Sequence, residues 1–248
     1  MEGSTVTSSS TEGTQWRASG NYGPKLASKS SLLEESRLLL EAYAQSGDID
    51  AACQALVNGV LPQRSRETRA TIVQILRTRL LRWNPPTWVL TNLAAFAQAT
   101  SSDAFHLAML LHIARQDLLL YDFVQQVVVP RWYAGTTNMM RSDVQGFLDA
   151  VQEDHPEVNG WSHTTREKVS QNVLTVLRDC KLLKGKVKKQ IVLPVVPVPV
   201  VHHLIRLLQA EGIAPEQIAQ HPDWRLWLWD MTQAQKALDS YLKQEHMI

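Results

Sequence analysis

From Ser31 onward, apolar residues recur at helical spacing along most of the chain, whereas the first 28 positions hold almost none. That opening stretch is rich in Ser, Thr and Gly. It offers too little burial to offset ordering entropy and predicts a flexible arm over residues 1–28. Ser31-Leu-Leu-Glu34 has the capping-box pattern and should open a helix with Leu32, Leu33, Leu39, Leu40 and Tyr43 on one face, ended by Gly47. Asp48 should cap a short helix through Val57. A third helix should run from near Ser65 to about Arg82, with Ile72, Ile75, Leu76 and Leu80 inward, until Pro85-Pro86 break it. Apolar helices follow over about Thr87–Ala99, Asp103–Asp117 and Leu118–Val129, the last stopped by Pro130.

Trp132 to Asn138 reads as a connection, and Ser142-Asp-Val-Gln145 as a second capping box opening a helix to about Gln152. Pro156 and Gly160 mark a domain boundary. Beyond it, Thr164-Thr-Arg-Glu167 reads as a third capping box, with Val169, Val173, Leu174, Val176 and Leu177 facing inward as far as Cys180. The β-branched run Lys186–Pro194 reads as a strand or hairpin arm. A helix from about Val198 to Ala210 follows. Trp224–Trp229 is ambiguous between strand and helix, and Thr232–Gln244 closes the chain as an amphipathic helix. The expected fold is mainly α: an N-terminal helical bundle over 29–155, then a winged-helix-like domain with a small β-hairpin over 161–248.

Composition adds limits. A chain of 248 residues, 44% of them hydrophobic, is large enough to bury a substantial core. Cys53 and Cys180 lie far apart without metal-ligand spacing, which argues against a disulfide framework and fits a reducing, cytoplasmic setting. Residues 1–10 have no apolar run of the kind a signal peptide carries. The most apolar stretches, Leu118–Pro130 and Ile191–Val201, fall short of the roughly 20 residues a spanning helix needs. No membrane insertion is expected.

The formal charge of +1 hides a sharp asymmetry. Residues 62–82 hold six arginines (64, 66, 69, 77, 79 and 82) against Glu67, a net +5. Residues 161–190 hold Arg166, Lys168, Arg178, Lys181, Lys184, Lys186, Lys188 and Lys189 against Glu167 and Asp179, a net +6, which leaves −10 on the remainder. Separated poles of this kind suit a polyanion. In the second segment the pattern suggests a winged helix–turn–helix. Thr164, Thr165, Arg166, Lys168, Gln171 and Asn172 lie on the early turns of the helix that would enter the major groove, and Lys184, Lys186, Lys188 and Lys189 lie on the wing. A capped helix followed by a plain solvated hairpin accounts for the same residues. In the first segment Arg64, Arg66 and Arg69 surround a helix start that could hold a phosphate, or they pair with acids of neighbouring helices.

Catalytic signatures are missing. Lys184-Gly-Lys186 lacks the earlier glycine and the Ser or Thr of a phosphate-binding loop, and there is no dinucleotide fingerprint or nucleophile elbow. His202 and His203 are adjacent on one helix and chelate poorly. Asp117, Asp122, Asp149, Glu153 and Asp154 have no lysine at a nuclease spacing. No cofactor, metal or small-molecule substrate is expected. Trp224–Trp229 is expected in the core, with a protein-partner patch as its alternative.

Three stretches carry a resemblance to a known family. They are the helix from Ser31; Pro62-Gln-Arg-Ser-Arg-Glu-Thr-Arg69 leading to Arg77-Thr-Arg-Leu80; and Trp161-Ser-His-Thr-Thr-Arg166 leading to Leu177-Arg-Asp-Cys-Lys-Leu-Leu183. In order and spacing, over most of residues 30–245, the chain resembles the BrxA family of BREX phage-defence systems. The resemblance implies a small helical protein with a winged-helix-like C-terminal part. It also implies double-stranded DNA and other BREX proteins as partners, and no catalytic motif. It carries over only Arg64 to Arg69 and Thr164 to Lys168. The arm before residue 28 lies outside it. An RNA-binding, antitermination-like module and a protein-interaction scaffold remain alternatives.

Overall fold

The computed structural model describes residues 16–245. Its elements are α1 (Lys25–Ser28), α2 (Leu33–Ser46), α3 (Ile49–Ala55), α4 (Arg66–Leu80), α5 (Thr87–Gln98), α6 (Ser102–Arg115), α7 (Leu118–Phe123), α8 (Val129–Tyr133), β1 (Asn138–Met139), α9 (Arg141–Ala150), α10 (His163–Asp179), β2 (Leu183–Lys184), β3 (Lys189–Ile191), α11 (Val198–Ala210), α12 (Pro215–Ile218) and α13 (Met231–Glu245). The fold is mainly α with one small sheet, as the periodicity predicts.

α6 is the hub. Apart from His106 it is buried on every side from Ala104 to Arg115, as expected of an all-round apolar helix. It packs against α4, α5, α7, α10, α11 and the 3₁₀ turn Pro222–Trp227. The Trp-rich segment forms that turn. Trp224 and Trp227 are fully buried, and their indole N–H groups donate to the carbonyls of Ile218 (2.7 Å) and Leu107 (3.3 Å). Trp229 stacks on Trp224.

Two helix starts, those of α9 and α10, lie two positions before those expected. Ser162, and not Thr164, accepts the amide of Thr165 and caps α10. At α9, Asp143 reaches back to the amide of Met140. Ser31 caps nothing: its hydroxyl donates to Asp179 of α10 (2.6 Å), and the turn into α2 is made by Leu32 in a left-handed conformation (φ 53°). Such a conformation costs a branched residue on the order of 1–2 kcal/mol. The Asp48 and Ser65 caps lie where predicted. Pro130 does not stop its helix. A π-helical turn at Val124–Val128 widens the backbone upstream, and Pro130 falls in the first turn of α8, where its missing N–H costs little.

Two boundaries differ from the sequence reading. Residues 16–28, expected in a flexible arm, are anchored. Trp16 packs on Trp83, the Ala18 amide donates to the Arg115 carbonyl (2.7 Å), and Tyr22 and Leu26 are buried, with α1 lying along α10. Three isolated anchors suffice where no periodic face exists. Residues 1–15 of that arm lie outside the described residues. Nor does the boundary expected at 155–160 separate two cores. Val158 is fully buried within it, Glu157 accepts the Tyr22 amide (2.5 Å), and one connected set of buried side chains runs through both halves.

The sheet is antiparallel with strand order β1-β3-β2. Gln190 of β3 pairs with Asn138 on one side and with Lys184 on the other. β1 begins at Asn138, the last residue of the stretch expected to be a connection. It comes from between α8 and α9, on the other side of the expected boundary from its partner strands.

Candidate nucleic-acid interface

α10 presents two faces. Val169, Ser170, Val173, Leu174, Val176 and Leu177 are buried, whereas Thr164, Glu167, Lys168 and Gln171 are exposed along the opposite stripe. After α10 the chain turns through Leu182 and Leu183, both buried, and projects the β2–β3 loop into solvent. Gly185 fixes that loop. Its φ is +95°, and a Cβ there would lie 2.1 Å from the Lys188 carbonyl oxygen, so no side chain fits. Lys184, Lys186 and Lys188 are exposed, and no ion pair involves them among the described residues. Lys189 is half-buried and donates to the Lys186 carbonyl (3.0 Å), bracing the loop.

Between this loop, β1 and α10 lies an open groove of about 460 Å3. Gln171 lines it from α10, Lys186 and Lys189 from the loop, and Arg141 from the first turn of α9. Arg141 is exposed and lies outside both basic segments of the sequence, so counting charge along the chain does not find it. Its one sequence signal is its place at the start of a predicted helix.

The other predicted contacts divide. Arg166 is partly buried and pairs with Asp149 of α9. The Asn172 amide donates to the Leu26 carbonyl and holds α1 in place. Thr165 is half-buried at the cap, its hydroxyl 3.0 Å from that of Ser162. Arg178 pairs with Asp179, and Lys181 lies 3.6 Å from Asp103. In the first segment Arg69 donates to the carbonyls of Val57, Gln63 and Arg64, closing the turn that follows α3. Arg77 pairs with Asp50 (2.6 Å), and Arg79 is buried on the carbonyls of Ser30 and Ser31. Arg64, Arg66 and Arg82 stay exposed and outside every ion pair among the described residues.

A second charged cluster is internal. Arg115 bridges Asp223 (2.6 Å) and Glu211 (2.8 Å), and Arg17 bridges the same two acids (2.7 Å each). The Tyr121 hydroxyl also donates to Asp223. Burial alone would raise the Asp223 carboxyl, but Arg115 and Arg17 hold it down at about 2. Nearby, His112 and His203 meet through their Nε2 atoms at 2.9 Å, both buried. Burial keeps both neutral: His203 is pushed down to about 3, and His112, which also faces His203, falls well below the ordinary 6.5. Among the described residues, no three His, Cys, Asp or Glu side chains converge as a metal ion would require. No described helix is long and apolar enough to cross a membrane.

The profile of the BrxA family matches residues 20–207. No curated protein is matched by the chain. Among solved structures the chain is similar to an uncharacterized protein from Magnetospirillum magneticum at 19% identity, over 78% of this chain and 97% of that one, with a TM-score of 0.62. That likeness concerns the fold alone.

Proposed function

As the chain belongs to the BrxA family, we propose that it is a non-catalytic subunit of a BREX phage-defence assembly that binds duplex DNA through α10 and the β2–β3 loop. The observation that carries this reading is the set of exposed lysines 184, 186 and 188, without acidic partners, beside the polar stripe of Lys168 and Gln171. Cations left unpaired in this way attract phosphate, and their binding releases counterions.

Topology supports it. With α7, the π-helical turn and α8 taken as one continuous helix (118–133), the order through β3 is helix, strand, helix, helix, strand, strand, with the first strand beside the last. That order suits a winged helix–turn–helix, with α9 and α10 as the helix pair and β2–β3 as the wing. The unit then spans residues 118–191 and crosses the boundary expected at 155–160. In such a unit the second helix lies in the major groove, and its early exposed residues face base edges. Thr164, Lys168 and Gln171 occupy those positions. Arg141 and Lys189 then meet the phosphate backbone. Arg64 and Arg66 are kept as a second phosphate contact outside the groove. Asn172 and Arg69 act through the fold, by holding α1 and the turn after α3, and Arg166 is engaged by Asp149.

The test is titration of the full chain with duplex DNA, duplex RNA and single-stranded DNA at two salt concentrations. Duplex DNA should bind tightest and weaken steeply with salt. Reversing Lys186 and Lys188 to Glu should abolish most of that binding, and reversing Arg64 and Arg66 should reduce it less. No duplex binding at low salt would refute the reading. A preference for duplex RNA would move the same surface to the antitermination-like alternative.

A further inference from the structure

We propose that the loop tip Lys186–Val187–Lys188 reads the minor groove. Val187 seats against the groove floor and the flanking lysines reach the phosphates of its two walls, which favours steps lacking the guanine 2-amino group. This inference rests on the duplex-DNA reading above and deepens it.

Val187 is 92% exposed, more than any other large hydrophobic residue among those described. It lies at the rim of the groove and outside the buried core, so core formation does not explain it. The flanking backbone projects it into solvent. The loop path requires Gly185, since a Cβ there would meet the Lys188 carbonyl, Lys189 ties back to the Lys186 carbonyl, and the strands on both sides are paired through Gln190. An apolar side chain fixed at the end of a projecting loop between two exposed lysines has the form of a wedge with charged shoulders.

Groove dimensions choose the target. With α10 in the major groove, the loop lies over the flanking backbone and the next groove across it. A minor groove is about 6 Å wide, which suits one aliphatic side chain between two extended lysines; a major groove about 12 Å wide would leave the valine unsupported. A·T tracts narrow the minor groove and deepen its negative potential, drawing cations in. On G·C pairs the guanine 2-amino group stands on the groove floor. An apolar wedge would have to desolvate that donor without giving it an acceptor, because Val187 has none to offer.

The decisive comparison uses three duplexes of equal length: alternating G·C, I·C and A·T. Inosine keeps the major-groove face of guanine and removes only the minor-groove amino group. The full chain, followed by fluorescence anisotropy, should bind the I·C duplex about fivefold tighter than G·C, with A·T also above G·C. Val187→Ala should cut that preference to under about twofold while leaving the salt dependence intact, since the lysines remain. The residue is solvent-exposed, so the variant should keep its helical circular dichroism and melting temperature. Equal affinity of the wild type for G·C and I·C would overturn the inference while leaving duplex binding standing. So would a preference that survives in Val187→Ala; either result would turn Val187 toward protein instead. Absence of binding to all three duplexes would remove the parent reading as well.

Discussion

Arg115 and Lys186 carry the same formal charge in opposite settings. Arg115 is 3% exposed and bonded to two carboxylates, which Arg17 also grips from the N-terminal side. Lys186 stands at the rim of an open groove without an acidic partner. The buried cluster ties four distant pieces of chain together: the segment at Arg17, the end of α6, the residue after α11, and the 222–227 turn. The loop lysines tie nothing together and leave their field in solvent. A buried charge is satisfied at the expense of its reach, and an exposed one keeps its reach because nothing satisfies it. Counting basic residues along the sequence merges these two kinds. Half of the first arginine-rich segment is already engaged: Arg79 is buried on carbonyls, and Arg69 and Arg77 hold carbonyls or an acid of their own fold nearer the surface.

The largest expected effect therefore lies far from the groove. Asp223→Ala should leave Arg115 buried with one partner fewer and cost about 3–5 kcal/mol of stability, read by urea denaturation. It should also loosen residues 16–28, seen as faster proteolysis there. Charge reversal at Lys186 should leave the denaturation midpoint in place. Equal effects at the two positions would break the distinction between them.

The buried histidines give the next effect. Both are neutral in the folded protein, with His203 held at about 3, and take up protons near 6.5 once unfolded. The unfolded chain thus binds more protons throughout the interval between those values. Stability is full above about pH 6.5 and declines as pH falls toward 3, by at most about 1.4 kcal/mol per pH unit for each histidine. Denaturation at pH 7.0, 5.5 and 4.5 should show that decline, and His203→Gln should flatten it.

Helices with a repeated apolar face, such as α4, α10, α11 and α13, are readable from sequence because periodicity is a local property. What escapes depends on partners distant in the chain. β1 is two residues long and too short for alternation to register, and it exists only because β3 pairs with it. Trp16, Tyr22 and Leu26 form no stripe, since each is buried in different company. The site shows the same limit. Its loop lysines are evident from their density, whereas nothing near Arg166 or Asn172 announces that Asp149 and the Leu26 carbonyl already occupy them.

A smaller effect separates the two kinds of cation by slope. Alanine at both Lys186 and Lys188 should weaken duplex binding and lower the log–log salt slope by about 1.8, that is about 0.9 for each lost phosphate contact. Alanine at Arg77, which is held by Asp50, should leave the slope unchanged. A slope that falls equally in both variants would mean that pairing within the fold does not remove an arginine from the interface.

The smallest effect has the most informative sign. Arg166 lies beside the exposed stripe of α10 and is only partly buried, and its partner Asp149 is well exposed. An ion pair so open to water contributes at most about 1 kcal/mol. Asp149→Ala should therefore barely change stability. It frees a guanidinium next to the groove and deletes a negative charge, so duplex affinity should rise by a few-fold, with a steeper salt slope. Arg166→Ala, in contrast, should leave affinity almost unchanged. If Asp149→Ala weakens binding instead, the pair holds α9 and α10 in their binding geometry, and Arg166 belongs with Arg115 and not with Lys186.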